Sequence, residues 1–259
     1  MVVMKKERMK MEQKTKQPLA AVKNRKDFLE CERRNIFLLM MFVGGYFGTF
    51  TYTIRGGVFC NAQTGNFVLL AMALGDRRWL HALYFFIPIT AYCLGAFMSE
   101  LLPNQIKKLH LIRWDTLLII IEMATVVFLG FLPERAPVQI TQVLINFICS
   151  MQYNTFRQAE GVPMATTFCT NHIRQVGVAL CKVMRHPSDR DGHLKRLGLH
   201  AGMLTVFVAG GAISTFLCRI LLGKAIWLSL IPLGIVLIHL LYADLVREKG
   251  QLDKKPGGH

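Results

Sequence analysis

The chain has 259 residues, 53% of them hydrophobic, and a formal net charge of +15, with a mean hydropathy of +0.36. These totals fit one large soluble domain or a membrane bundle, and the placement of charge decides between them. Eleven of the 31 Lys and Arg lie in residues 1–35, and most of the others gather in 102–114, 182–198 and 245–259. A soluble protein scatters charge along every amphipathic helix. Here charge is expelled from long apolar blocks, which excludes a soluble enzyme and predicts an all-α integral membrane protein. The basic blocks flank those spans, so they read as topology signals and contacts with anionic headgroups rather than as a nucleic-acid surface.

Residues 1–35 read as a basic cytoplasmic extension. The apolar run starting at Ile36 is followed by further spans, so it reads as a retained first helix and not as a cleaved leader. A crossing needs about 20 mostly apolar residues. The candidates are 36–54, 79–101, 115–132, 138–157, 199–222 and 225–244. Residues 245–259 form a basic cytoplasmic tail. Two further apolar pieces, 58–75 and 163–181, carry polar groups that a lipid-exposed helix does not hold cheaply. The first contains Asn61, Gln63, Thr64 and Asn66, and the second contains Thr166, Thr167, Thr170, Asn171, His172 and Arg174.

The two odd pieces resemble each other. At an offset of 106, Thr49–Leu74 aligns with Thr155–Leu180: Thr49 meets Thr155, Phe50 meets Phe156, Thr64 meets Thr170 and Ala73 meets Ala179. Gly56 and Gly57 precede one polar cluster, and Gly161 and Pro163 precede the other. The pattern predicts an internal duplication, with one repeat over 36–132 and a second over 138–244. If both odd pieces cross fully, eight spans result and Lys107, Lys108 and Arg113 are stranded outside. If both are re-entrant or broken, six spans result, the repeats are inverted, and the basic loops and both termini fall in the cytoplasm of a plasma-membrane protein. The six-span arrangement is favoured.

The stretch Gly44–Leu70, G-G-Y-F-G-T-F-T-Y-T-I-R-G-G-V-F-C-N-A-Q-T-G-N-F-V-L-L, resembles the signature of the YoaK-like family of bacterial membrane proteins of unknown function. Ser150 through Thr170, with Gln152, Asn154, Thr166 and Thr167, is similar to that family's second signature. The resemblance runs from about Asn35 to Ala243 and implies a polytopic bacterial membrane protein. It supplies no activity. The chain departs from the family pattern at Gly48, where many members are acidic, and at Thr170–Asn171, where many have T-G.

Inverted halves with interrupted polar helices point to a secondary-transporter site, since broken helices expose backbone groups that can hold an ion or polar headgroup. The candidate binding residues are Thr64, Asn66, Glu122, Thr170, Asn171, His172 and Arg174. The polar residues of the breaks serve equally as hydrogen-bonding glue between halves. Glu122 sits mid-span, where a carboxylate costs about 3 kcal/mol on insertion scales. It is read as a proton or cation group, or as a structural ion-pair partner of Arg174. Arg174 alternatively attracts an anion, and His172 titrates near neutral pH or serves structurally. Arg55 and Arg157 are expected to snorkel. Gly44, Gly45 and Gly48, with Gly198, Gly202, Gly210 and Gly211, read as close-packing faces.

The seven cysteines show no C-x-x-C spacing and read as small buried hydrophobes, with no metal or cofactor implied. No phosphate loop, zinc motif or nucleophile elbow is present. The reading is a transporter or channel-like permease for an unidentified small molecule or ion, in contact with membrane lipid and open to homo-oligomerisation. The alternatives are a non-catalytic membrane scaffold or subunit, and a membrane-embedded lipid-acting enzyme.

Overall fold

The computed structural model describes residues 28–107, 111–185 and 187–257. Nearly all of the basic extension, 1–27, therefore lies outside the described residues. Among the described residues the helices in chain order are α1 (Arg34–Ile54), α2 (Gln63–Gly75), α3 (Trp79–Lys107), α4 (Trp114–Phe131), α5 (Val138–Thr155), α6 (Thr170–Arg185), α7 (Arg190–Leu221) and α8 (Leu230–Tyr242). A short antiparallel pair, β1 (Gln158–Ala159) and β2 (Val162–Pro163), lies between α5 and α6.

Four helical stretches are long and apolar enough to cross a membrane: Arg34–Ile54, Trp79–Lys107, Trp114–Phe131 and Arg190–Arg247. The protein is thus an all-α membrane protein. The last stretch is interrupted at Leu222, whose φ of 50° and ψ of −131° end α7. A leucine in that region carries a strain of about 1–3 kcal/mol, tolerated only where surrounding packing holds it. A 3-10 segment, Leu222–Ser229, then leads into α8.

Several boundaries differ from the sequence reading. α3 extends to Lys107, beyond 101, and α7 begins at Arg190 rather than 199, so much of the basic stretch 182–198 is helical. The odd pieces are each a break followed by a half-length helix. α1 stops where Gly56 and Gly57 take φ values of 83° and 69°, a left-handed path that glycine follows without steric cost. The polar T-G-N cluster lies in the first turns of α2, and Thr170, Asn171 and His172 open α6.

The order of elements recurs. A span, a break with a half-length helix, a long helix and a further helix make up α1–α4, and the same series makes up α5–α8. The most extensive helix pairings are α1 with α7 and α3 with α5. Each joins the first helix of one half to the third of the other. Glycine makes these approaches possible. A Cβ on Gly45 or Gly210 would strike the backbone of Phe207 or Phe42, and one on Gly95 would strike the Phe147 carbonyl. Gly198 and Gly202 meet nothing within 4 Å, so they are not part of this close-packed face.

The helix ends gather at two poles. At one, Trp114 Nε1 donates to Thr155 Oγ1 (2.8 Å) and Lys107 to the Asp253 carbonyl (2.7 Å). There too, Glu30 N donates to Glu248 (3.0 Å) and Glu160 N to the Glu32 carbonyl (2.8 Å). At the other, Gln142 Nε2 donates to the Arg55 carbonyl (2.6 Å), Tyr84 to the Gly56 carbonyl (3.0 Å) and Gly223 N to Glu134 (2.8 Å). The first pole holds the starts of α1 and α4 and the ends of α3, α5 and α8.

Candidate functional site at the meeting of the two breaks

The break after α1 reaches the first helix of the second half, and the break after α5 reaches the first helix of the first half. Cys60 Sγ lies 3.6 Å from Cys149 Sγ on α5. In the mirror contact, Gly44 on α1 lies against the backbone of Thr166 and Thr167. At the offset of 106, Cys60 corresponds to Thr166, while Cys149 corresponds to Val43, one residue before Gly44.

Polar side chains fill this region and are buried: Asn61, Asn66, Gln142, Asn146, Ser150, Gln152, Thr166 and Thr167. Asn61 Nδ2 donates to the Gly44 carbonyl at 2.9 Å. Asn66 Oδ1 accepts from Phe59 N (3.0 Å), and its amide donates to the Phe59 carbonyl (2.6 Å) and to Gln63 (3.0 Å). Gln63 in turn donates to Asn146 on α5 at 2.7 Å. Asn66 therefore clamps the break to α2, and its amide capacity is consumed in doing so. Ser150 Oγ, Thr166 Oγ1, Gln142 Oε1 and Gln152 Oε1 are buried without a protein partner. A buried polar atom left unpaired costs about 1–3 kcal/mol, so these atoms are the ones with capacity for a ligand.

Glu122 is fully buried on α4, and among the described residues neither of its carboxyl oxygens has a hydrogen-bond partner. Glu122 thus lies on a helix packed against α5, which carries Cys149. Its expected partner is elsewhere: Arg174 is exposed and donates to Asn171 Oδ1 at 2.9 Å. The pairing fails because Arg174 lies on the outward face of an amphipathic helix. Thr64 and Thr170 are likewise exposed and Asn171 is half-buried. Of the seven candidates, Asn66, Glu122 and His172 are inside, and the structure does not bring all seven together.

His172 is buried against a residue that sequence spacing did not single out. Its Nδ1 lies 3.0 Å from Nδ1 of His200 on α7, and its Nε2 lies 2.9 Å from the Ala165 carbonyl. A carbonyl only accepts, so His172 Nε2 donates. In the neutral pair His200 Nδ1 then donates to His172 Nδ1, which leaves His200 Nε2 a bare acceptor, buried and unpartnered. The 28-residue separation of the two histidines carries no sequence signal. The arginines differ from expectation as well. Arg55 does not snorkel: it is 3% exposed and lies 3.4 Å from Glu134. Arg157 is ion-paired with Glu100.

The first pole is a buried ionic cluster. Arg113 pairs with Asp244 (3.4 Å) and with Glu248, while Arg247 pairs with Glu30. Burial opposes the Arg113 charge, but Asp115, Glu248 and Asp244 outweigh it and keep the guanidinium protonated. Burial, reinforced by Asp115, pushes the Cys31 thiol well up, so it stays protonated and inert. Among the described residues no group of three or more His, Cys, Asp or Glu is placed to hold a metal ion.

A family model described as "Protein of unknown function (DUF1275)" matches residues 36–239, from the start of α1 into α8. The chain belongs to that family. It is the YoaK family that the Gly44–Leu70 motif resembles. The DUF1275 match takes in both breaks, Glu122 and the histidine pair, and stops short of the Asp244–Glu248 part of the ionic cluster. Comparison with the curated proteins and with the solved structures gave no match.

Proposed function

We propose that this DUF1275 protein is a secondary transporter or channel-like permease for a small molecule or ion, with its site where the two breaks meet. The observation that carries the reading is Glu122, a fully buried carboxyl with both oxygens unpartnered among the described residues, on a helix packed against α5. An unpaired ionisable group inside a membrane protein is expensive to keep, and a proton or a cation accounts for its presence. The unpartnered Ser150 and Thr166 oxygens supply further ligands. No catalytic step belongs to this reading.

Its architecture is two inverted halves of three crossings each, α1, α3, α4 and then α5, α7, α8, with α2 and α6 re-entrant. Support comes from the poles: α1 ends and α3 begins at the same one, so the segment between them enters and leaves on one side. The pole rich in Lys and Arg is then cytoplasmic. Cysteines introduced by Arg77→Cys and Lys107→Cys in a background without native cysteines test this in intact cells. An impermeant thiol reagent should label position 77 from outside and leave position 107 untouched. The reverse labelling is the eight-span result and removes the re-entrant reading.

The site is tested by thermal unfolding of the purified protein against a panel of inorganic ions and metabolites, with wild type beside Glu122→Gln. A ligand that binds only the folded state raises the midpoint by mass action. Glu122→Gln should fold with little-changed intrinsic stability, because it exchanges one buried unpaired polar group for a neutral one of the same size, and should lose the response. A panel that shifts both proteins equally takes Glu122 out of the site.

A further inference from the structure

A cavity of about 180 Å³ lies at the charged pole, between the last turns of α3, the start of α4, the end of α5 and the chain at Leu252–Pro256. Its lining carries five cations, Lys107, Arg113, Arg157, Lys254 and Lys255, against two carboxylates, Glu100 and Asp115. Arg157 is engaged by Glu100, and Arg113 by Asp244 and Glu248. Lys107 donates to a backbone carbonyl, that of Asp253, which is a neutral acceptor and leaves the ammonium charge uncompensated by that bond. The rest of the wall includes Pro103, Ile112, Trp114 and Leu252. The lining therefore combines cationic and apolar groups. It sits where α3 emerges from its outward-facing apolar stretch, in which Leu94, Phe97 and Leu101 are exposed.

We propose that this cavity binds a phosphate group, carried by an anionic lipid headgroup or by a soluble phosphate ester, with Lys107, Lys254 and Lys255 as its charge partners. Lysine is suited to phosphate as a point charge, and basic pockets between helices on the cytoplasmic side of a membrane are places where lipid headgroups bind. The apolar groups of the lining receive the body that carries the phosphate. The two chain segments that supply the lysines, the end of α3 and the tail, are already joined by the bond from Lys107 to the Asp253 carbonyl. The bound group would strengthen that junction. This inference stands whether or not the protein transports anything.

The test uses the purified full chain in detergent, titrated separately with phosphatidylglycerol, phosphatidylcholine and glycerol phosphate, and followed by thermal midpoint. Wild type is compared with Lys254→Gln/Lys255→Gln, with Lys107→Gln, and with a control, Lys195→Gln/Arg196→Gln, on α7. Phosphatidylglycerol should raise the wild-type midpoint and phosphatidylcholine should not. Each lysine removed should weaken the apparent affinity by about fivefold, and the tail pair by about thirtyfold, with the control unchanged. Lysine-dependent stabilisation by glycerol phosphate as well supports the same site with a soluble source. Equal stabilisation by the two lipids, or a phosphatidylglycerol response unaltered in both lysine variants, overturns the proposal. Lys254 and Lys255 are exposed, and the response of each variant is measured from its own unliganded midpoint.

Discussion

Gly45→Leu should leave no folded protein in detergent extracts, and Gly45→Ala should fold with a clearly lowered midpoint. The Cβ that either substitution adds would collide with the carbonyl of Phe207, a backbone atom of α7 that cannot rotate away as a side chain would. Relief requires α1 and α7 to separate along the most extensive helix contact in the protein. Overpacking of a well-filled interior costs about 1–3 kcal/mol for small increments, and the alanine belongs there. Leucine adds three more carbons in the same place and exceeds what the interface can yield. Gly202→Ala, on the same helix but with nothing within 4 Å of the new Cβ, should be neutral or slightly stabilising through helix propensity. Equal behaviour of Gly45→Ala and Gly202→Ala would mean that α1 and α7 do not meet at this point.

Arg113→Met should destabilise the protein by about 3–5 kcal/mol, the usual consequence of leaving a buried carboxylate without its cation. Arg113 is 5% exposed, and Asp244 and Glu248 are 2% and 7% exposed. Asp244 also accepts from Arg113 N at 2.9 Å and from Thr116 Oγ1 at 2.6 Å, so it caps the start of α4. Losing the guanidinium leaves Asp244 without its cation, facing Asp115, and leaves Glu248 with Arg247 alone at 3.4 Å. Neutralising them should restore most of the loss, so Arg113→Met/Asp244→Asn/Glu248→Gln should be markedly more stable than Arg113→Met alone, as read by thermal midpoint. If the triple variant is no better, lost packing of the arginine stem outweighs its charge.

Both effects depend on partners far apart in the chain, and this marks where sequence reading stops. The six apolar blocks were legible because crossing a membrane is a local demand. About 20 apolar residues satisfy it, whatever surrounds them. The four helical stretches that can cross fall on five of those blocks, the last of them covering two, and the helix at 138–155 falls on the remaining one. The breaks were legible too, because glycine and clustered polar residues interrupt an apolar run visibly. Asn66 and Glu122, singled out as polar groups within apolar sequence, are both fully buried.

The assignment of partners was not legible. Arg174 was paired with Glu122 on the assumption that charges in apolar sequence seek each other. The amphipathic α6 instead turns Arg174 outward, while Glu122 faces the interior of its own helix bundle. His200 carried no signal, because its meeting with His172 depends on how α6 lies along α7. Arg55 and the acidic cluster around Arg113 were equally hidden. By itself, the sequence determined that this is a helical membrane protein, where its apolar runs lie, and which family it belongs to, because hydropathy and motifs are properties of contiguous residues. Only the tertiary structure decided which polar groups are consumed as clamps and which stay unpaired, because a hydrogen bond or ion pair exists only where packing brings two distant segments within about 3 Å.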